Sequence, residues 1–119
     1  MRSAEPVSAF LDILGDKWTL LVVRDALLHD KTKFAEFLAS DEKISTNLLA
    51  ERLERLEAAG ILERRIYQER PSRYEYVVTP KGRELLPALI EIVRWSNRHI
   101  EGTKKPPQWM IEKFVRRAE

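Results

Sequence analysis

Residues 45–60 read STNLLAERLERLEAAG, and residues 61–80 continue as ILERRIYQERPSRYEYVVTP. The first segment has leucines three and four positions apart, which is the spacing of an amphipathic helix. Ser45 suits the N-cap of such a helix, and Gly60 suits its C-terminal end. We therefore expect one helix between these two residues. Its apolar face consists of Leu49, Leu53 and Leu56.

The second segment changes from helical spacing to alternation. Tyr74, Tyr76 and Val78 recur at every second position, which is typical of a β-strand. The residues QERPSR, with Pro71 as the turn former, separate this run from the apolar run that begins at Ile61. The pattern predicts a β-hairpin with a basic tip.

Helices are expected upstream of this stretch. Residues 7–14 and 17–28 have helical apolar spacing, and a short third helix has its apolar face within residues 34–38. Gly15 is expected to end the first helix in the left-handed conformation, and Asp16 to cap the second.

Downstream, Thr79 and Pro80 give an N-cap followed by a proline at the first helical position. That helix is expected to run to about Ile100, with a bend at Pro87. Residues 102–119 are expected to form a linker and a short amphipathic helix. The apolar residues of this last helix are Trp109, Ile111, Phe114, Val115 and Ala118.

The composition is that of one globular domain, with 119 residues, 44% of them hydrophobic and 34% charged. No apolar run approaches the roughly 20 residues that cross a bilayer. No signal-peptide core begins the chain, so a cytoplasmic location is expected. The chain has no cysteine, which excludes disulfides, thiolate metal sites and thiol redox sensing. No cofactor, metal site or catalytic activity is expected, because the two histidines are isolated and no catalytic motif occurs.

The order of the predicted elements is three helices, a fourth helix with one polar face, a hairpin and further helices. A hairpin directly after the second helix of a helix-turn-helix is the winged variant of that motif. The expected fold is thus mainly α-helical with a small β-hairpin wing. We assign residues 1–101 to this winged helix-turn-helix domain, including a dimerisation helix.

Three motifs resemble the HxlR family, a branch of the MarR-like winged-helix regulators. They are GDKWTLL at residues 15–21, LEAAGIL at 56–62, and PSRYEY with VTPKG between residues 71 and 82. The resemblance implies a dimeric cytoplasmic transcriptional regulator that binds operator DNA, with dimerisation through its N- and C-terminal helices. Many members carry a cysteine where this chain has Glu5, so the resemblance does not imply cysteine-based sensing here.

Ser45, Thr46 and Asn47 are the first candidates for DNA contact, because they open the predicted recognition helix. The alternative for Ser45 is that it only caps its helix. Arg52 or Arg55 could reach the DNA backbone, although the spacing of Arg55 from Glu51 favours an ion pair within the helix. Further candidates are Arg70 and Arg73 on the wing tip and Lys17 and Lys33 at helix starts.

An apolar stripe on the long downstream helix predicts a homodimer, since helices with this pattern pair with a partner helix. The alternative is that residues 83–101 only cover the core of the monomer. A small-molecule effector of unknown type is a further expected partner. The candidate interface residues are Phe10, Leu86, Leu89, Ile90, Val93, Trp95 and Ile100.

A rival function is a winged helix that binds another protein. Residues 45–79 hold six basic and six acidic residues, so the predicted recognition helix and wing have no net charge. DNA-binding surfaces are usually basic, and both functions therefore stay open on the sequence alone.

Overall fold

The computed structural model describes residues 4–112 and has the element order predicted from the sequence. It is mainly helical, with a two-stranded antiparallel hairpin after the fourth helix, and the predicted fold class is confirmed. Within residues 4–112 no helix is long and apolar enough to cross a membrane. In chain order the elements are α1 (Pro6–Leu14), α2 (Lys17–Leu28), α3 (Phe34–Leu38), α4 (Thr46–Ala58), β1 (Leu62–Glu69), β2 (Ser72–Val78), α5 (Pro80–Arg83) and α6 (Leu86–His99).

α4 begins and ends where its sequence predicts. The Ser45 Oγ accepts a hydrogen bond from the Leu48 N–H at 3.2 Å, and Gly60 has a φ of 77° just beyond the last turn. The leucine face lies against α2 and β1 in the centre of the core. Its fully buried side chains are Leu49, Leu53 and Leu56.

The junction between α1 and α2 corrects one prediction. The left-handed conformation expected at Gly15 is wrong, because this residue has a φ of −78° and a ψ of −17°. A Cβ on Gly15 would lie 2.3 Å from the Leu11 carbonyl oxygen, so close approach to the preceding turn favours glycine here. Asp16 caps α2 as predicted, since its Oδ1 accepts from the Thr19 N–H at 3.0 Å.

The hairpin has longer strands and a shorter turn than predicted. β1 continues to Glu69 and β2 begins at Ser72, so only Arg70 and Pro71 of the six residues QERPSR lie in the turn. Cross-strand backbone hydrogen bonds form with any side chain except proline. Alternation of apolar residues therefore underestimates the length of a strand that extends beyond the core.

The single helix predicted for residues 80–100 is two helices, separated at Glu84 and Leu85. Pro87 lies in the first turn of α6. First-turn N–H groups have no hydrogen-bond partner within the helix, so the proline loses no bond there, and no helical turn precedes it for its ring to clash with. The break therefore comes before Pro87 and not at it. Thr79 caps α5 as predicted, because its Oγ1 accepts a first-turn N–H at 3.0 Å.

The segment after α6 returns to the core of its own chain. Helical residues begin at Gln108, and Met110 is buried in the same cluster as α6. The Trp109 ring lies edge-on to the His29 ring, with centroids 5.8 Å apart. The predicted apolar line is wrong in part, because Met110 is buried and Ile111 is exposed. The other predicted members of this line lie outside the described residues, namely Phe114, Val115 and Ala118.

Candidate nucleic-acid interface

The first turn of α4 presents polar side chains to solvent. Ser45, Thr46 and Asn47 are all exposed, and the capping role of Ser45 leaves its hydroxyl hydrogen available to a second partner. Side chains in the first turn of a recognition helix reach base edges, and the free N–H groups there favour phosphate. The three residues predicted from the sequence thus lie together at one exposed helix end.

Two ion pairs attach α4 to the start of α2. Arg52 Nε lies 3.1 Å from Asp16 Oδ1, and Arg55 Nη1 lies 3.0 Å from Asp16 Oδ2. Arg55 also pairs with Glu51 at 2.9 Å, as their spacing predicts. Both arginines are held by carboxylates of their own chain. This arrangement therefore does not favour the contact with the DNA backbone that was considered for Arg52 or Arg55.

The Asp16 carboxyl is ionised at every physiological pH. Partial burial acts to raise its pKa, but hydrogen bonds from Thr19 and Arg52 outweigh burial and hold the pKa at about 2. A full negative charge therefore lies between the two arginines of α4.

A second network of charged side chains fixes the loop between α3 and α4. Arg24 donates to the two Glu42 oxygens at 2.7 and 2.8 Å, and its Nε donates to Asp25 at 3.0 Å. Asp25 is only 3% exposed, accepts a hydrogen bond from the Ser40 hydroxyl and lies 3.5 Å from Lys31 Nζ. A buried charge needs such partners, so the network holds the chain just before α4 begins. Sequence analysis missed it, because nothing in a local pattern pairs side chains 15 and 18 positions apart.

The wing tip carries both predicted arginines, Arg70 in the turn and Arg73 opposite Gln68, and both are exposed. Lys33 lies at the start of α3, with its Nζ 4.7 Å from the centre of the Tyr67 ring on β1. The structure thus brings Lys33 and the wing together.

Lys17 lies apart from the wing, next to Asp16 and over the ring of Trp18, 5.0 Å from its centre. Sequence analysis missed one cation, Arg64, whose guanidinium lies 4.7 Å from the centre of the Tyr74 ring on the wing. The alternation of side chains along β1 could have identified Arg64. It places Arg64 on the same face of the strand as Leu62, which is buried.

Part of the predicted dimer interface is not on the surface. Leu86, Leu89 and Ile90 are at most 8% exposed and belong to the core of their own chain, and Val93 packs partly against the same core. In the monomer the buried face of α6 is covered by its own chain, and the contact of these residues with a second copy stays a prediction.

The remaining candidates are exposed. Trp95 on α6 is 59% exposed, and Phe10 and Ile100 are also accessible. Sequence analysis missed Ile92, which is 48% exposed and lies three positions before Trp95 on the same face of α6. An apolar surface therefore exists on α6, but it lies on a different face of the helix from the buried residues Leu86, Leu89 and Ile90.

α1 is not fully packed by its own chain. Val7 and Leu11 are exposed, and a cavity of about 180 Å³ lies beneath the helix. The cavity is lined by Phe10, Ile13, Leu14, Ala59, Ile61, Lys81 and Leu85.

Comparison with known proteins identifies the family. A sequence profile described as HxlR-like helix-turn-helix matches residues 13–104, which is more than half of the chain. The chain belongs to the HxlR family. It is therefore a helix-turn-helix transcriptional regulator and not an enzyme, and the resemblance noted in its sequence is confirmed.

Curated relatives of this HxlR-family chain are themselves described as HTH-type transcriptional regulators. YvaP of Bacillus subtilis (strain 168) is 38% identical over 91 residues, which are 76% of this chain and 83% of YvaP. Rv3095 of Mycobacterium tuberculosis is 32% identical over 103 residues, which are 87% of this chain and 64% of Rv3095. The match to Rv3095 thus leaves about a third of that protein without a counterpart here.

Solved structures agree with this assignment. The reduced form of the transcriptional regulator YodB from B. subtilis has a TM-score of 0.67 at 32% identity, over 87% of this chain and 100% of YodB. The oxidised form of the redox regulator HypR has a TM-score of 0.69 at 32% identity, over 82% of this chain and 99% of HypR. The present HxlR-family chain contains no cysteine.

Proposed function

We propose that this HxlR-family regulator binds double-stranded DNA of specific sequence, with the first turn of α4 in the major groove. The observation that carries the proposal is the exposure of Thr46 and Asn47 at the start of a helix whose own position is fixed by ion pairs. Asparagine can hold adenine with two hydrogen bonds, and threonine can bond a base or pack on a thymine methyl group. Ser45 caps the helix, and its hydroxyl also contacts a phosphate or a base of the DNA.

The wing supplies the second contact. Arg70 and Arg73 at its tip are placed to bind phosphate or to enter the minor groove. Lys33 beside the wing and Lys17 at the start of α2 are proposed as phosphate contacts, because both are exposed cations at helix starts.

A homodimer is proposed because α1 and α6 expose apolar side chains that monomeric proteins usually cover. Two copies related by a two-fold axis would set two recognition helices about 34 Å apart, which requires a pseudo-palindromic operator. The proposed location is the cytoplasm, where a transcriptional regulator meets its DNA.

Selection of bound sequences from random duplex DNA, followed by a salt titration on the selected operator, tests this function. Asn47→Ala is expected to lose about 1–3 kcal/mol of discrimination at particular operator positions, because it removes a base contact. Arg73→Ala is expected to weaken binding to all duplexes by similar factors and to flatten the salt slope by about one unit.

Arg83→Ala is the matched control for Arg73→Ala, since it removes the same charge from an exposed site in α5, outside α4, the wing and α6. It is expected to leave the affinity for operator nearly unchanged. An unaltered sequence preference in Asn47→Ala would show that α4 is not the recognition helix.

A second candidate function is binding to another protein through the same surface. The neutralised arginines of α4 favour it, because they give the helix no excess positive charge. The salt titration separates the two functions. Phosphate binding gives a steep fall of log K with log salt, whereas a flat slope together with tight binding of a protein partner would support the second function.

A further inference from the structure

The cations of α4 are Arg52 and Arg55, and both lie on the helix beyond the proposed base contacts. At 1.5 Å per residue they are about 8 and 12 Å further along the helix axis than Asn47. A helix in the major groove is flanked by phosphates along this length. Unrestrained arginines at these positions would bind phosphate on any DNA sequence.

Asp16 holds both arginines with one carboxylate. Its Oδ1 accepts from the Thr19 N–H at 3.0 Å and from Arg52 Nε at 3.1 Å. Its Oδ2 accepts from Thr19 Oγ1 at 2.5 Å and from Arg55 Nη1 at 3.0 Å. Thr19 is completely buried in α2, so the carboxylate is anchored to the core and is not a loose surface group.

The arrangement leaves little freedom to either arginine. The Arg52 side chain is only 16% exposed and also bonds Glu51, and Arg55 bonds both Asp16 and Glu51. Two arginines and two carboxylates therefore cancel in charge. Removing the Asp16 charge would leave one net positive charge in this cluster of Asp16, Glu51, Arg52 and Arg55.

We propose that Asp16 is a positioning residue for sequence recognition, which holds α4 in register on α2 and keeps Arg52 and Arg55 away from DNA phosphates. The inference rests on the DNA-binding function proposed above. Its consequence is that the first turn of α4 discriminates between sequences without competition from unspecific backbone contacts on the same helix.

Asp16→Asn is the test, because asparagine caps a helix as well as aspartate does but carries no charge. Binding of the selected operator and of a scrambled duplex is followed by fluorescence anisotropy as salt is raised. Release of one arginine to phosphate is expected to steepen the slope of log K against log salt by about 0.9. At low salt we expect the scrambled duplex to bind about fivefold to tenfold more tightly. The operator affinity is expected to stay about the same, because α4 loses its register on α2 as it gains the phosphate contact, so the ratio of operator to scrambled affinity falls about fivefold to tenfold.

Two further variants define the cause. Glu84→Gln removes the same charge from an exposed carboxylate between α5 and α6, outside α2, α4 and the loop that precedes α4, and it is expected to keep the wild-type discrimination. The double variant Asp16→Asn with Arg55→Gln is expected to return the salt slope to the wild-type value, since the freed arginine is gone.

Several results would overturn the inference. They are equal weakening of both duplexes in Asp16→Asn with an unchanged slope, no change at all, or the same loss of discrimination in Glu84→Gln. Arg55→Gln alone gives an independent check, because a slope flatter by about one unit would show that Arg55 already contacts DNA in the wild type. Failure of the proposed function is distinguishable, since wild-type protein would then show no salt-dependent binding to any duplex.

Discussion

At the scale of single residues, the pairing of Glu42 with Arg24 predicts a loss of stability in acid. The hydrogen bonds from Arg24 lower the pKa of Glu42 from its usual 4.5 to about 2. The folded state thus binds fewer protons than the unfolded state between these values, so this contribution is complete above about pH 5 and is lost as the pH falls to about 2. Glu42→Gln is expected to be less stable by about 1 kcal/mol at neutral pH, a value discounted for partial exposure, and equal to wild type near pH 2. Urea unfolding followed by tryptophan fluorescence measures both differences.

Glu91→Gln is the control for Glu42→Gln. Glu91 also pairs with an arginine, Arg94 at 3.7 Å, but both side chains are more than half exposed. Such pairs contribute little, so this variant is expected to match wild type at both pH values. A Glu42→Gln protein with wild-type stability at neutral pH would show that the Arg24 pair does not stabilise the loop before α4.

Residues whose partner is close in sequence were predictable, and residues whose partner is distant were not. The caps at Ser45 and Asp16 each accept an N–H three positions ahead, so the local sequence contains the whole interaction. Arg52 meets Asp16 across 36 positions, and that contact exists only because α4 packs on the start of α2. The DNA-contact candidates were predictable as positions on a helix, but the pairing of Arg52 and Arg55 with Asp16 was not.

At the scale of elements, hydrophobic period predicted the first four helices and the hairpin, but not the division of residues 80–100 into α5 and α6 or how the apolar stripe of α6 is used. The stripe at Leu86 and Ile90 is buried under the chain's own α2 and C-terminal segment. Hydrophobic periodicity identifies a helix face that must be buried. It does not tell whether the same chain or a partner chain buries that face. The stripe was predicted as a dimer face for this reason, and in the structure the monomer covers it.

The C-terminal segment is expected to depend on one side chain for its attachment to α6. Met110 is 7% exposed and lines a small cleft with Ile90 and Val93. Met110→Ala removes most of this buried surface and is expected to cost about 2–3 kcal/mol. Because docking of the segment is local, the loss should also appear as faster amide hydrogen exchange in residues 103–112.

Ile111→Ala is the comparison, since Ile111 is the next residue and lines the same cleft but is 44% exposed, against 7% for Met110. It is expected to cost less than half as much and to leave hydrogen exchange in the segment nearly unchanged. Equal effects of Met110→Ala and Ile111→Ala would show that the segment is not held by the Met110 side chain.

At the scale of the whole molecule, the proposed homodimer is expected to use exposed apolar side chains of α1 and α6. On α6, Ile92 and Trp95 share an outward face, and on α1, Val7 and Leu11 are exposed above the cavity beneath that helix. Aromatic residues concentrate in the centres of interfaces, so Trp95 is the expected anchor. The variants that test a dimer must therefore change this outward face and leave the buried stripe intact.

Trp95→Glu and Ile92→Glu are expected to give folded monomers, because an unpaired charge in the centre of an interface opposes association while an exposed position tolerates it in the monomer. Loss of the second recognition helix should lower the affinity for a two-half-site operator by about a hundredfold and leave the affinity for a single half-site unchanged. Sedimentation and anisotropy measure the two effects, and circular dichroism checks the fold.

Ile66→Glu is the sedimentation control, since Ile66 is comparably exposed but lies on the wing, and it should stay dimeric. Dimers of unchanged operator affinity in both α6 variants would place the interface elsewhere, because no isologous contact centred on Trp95 could accept two buried glutamates across its axis.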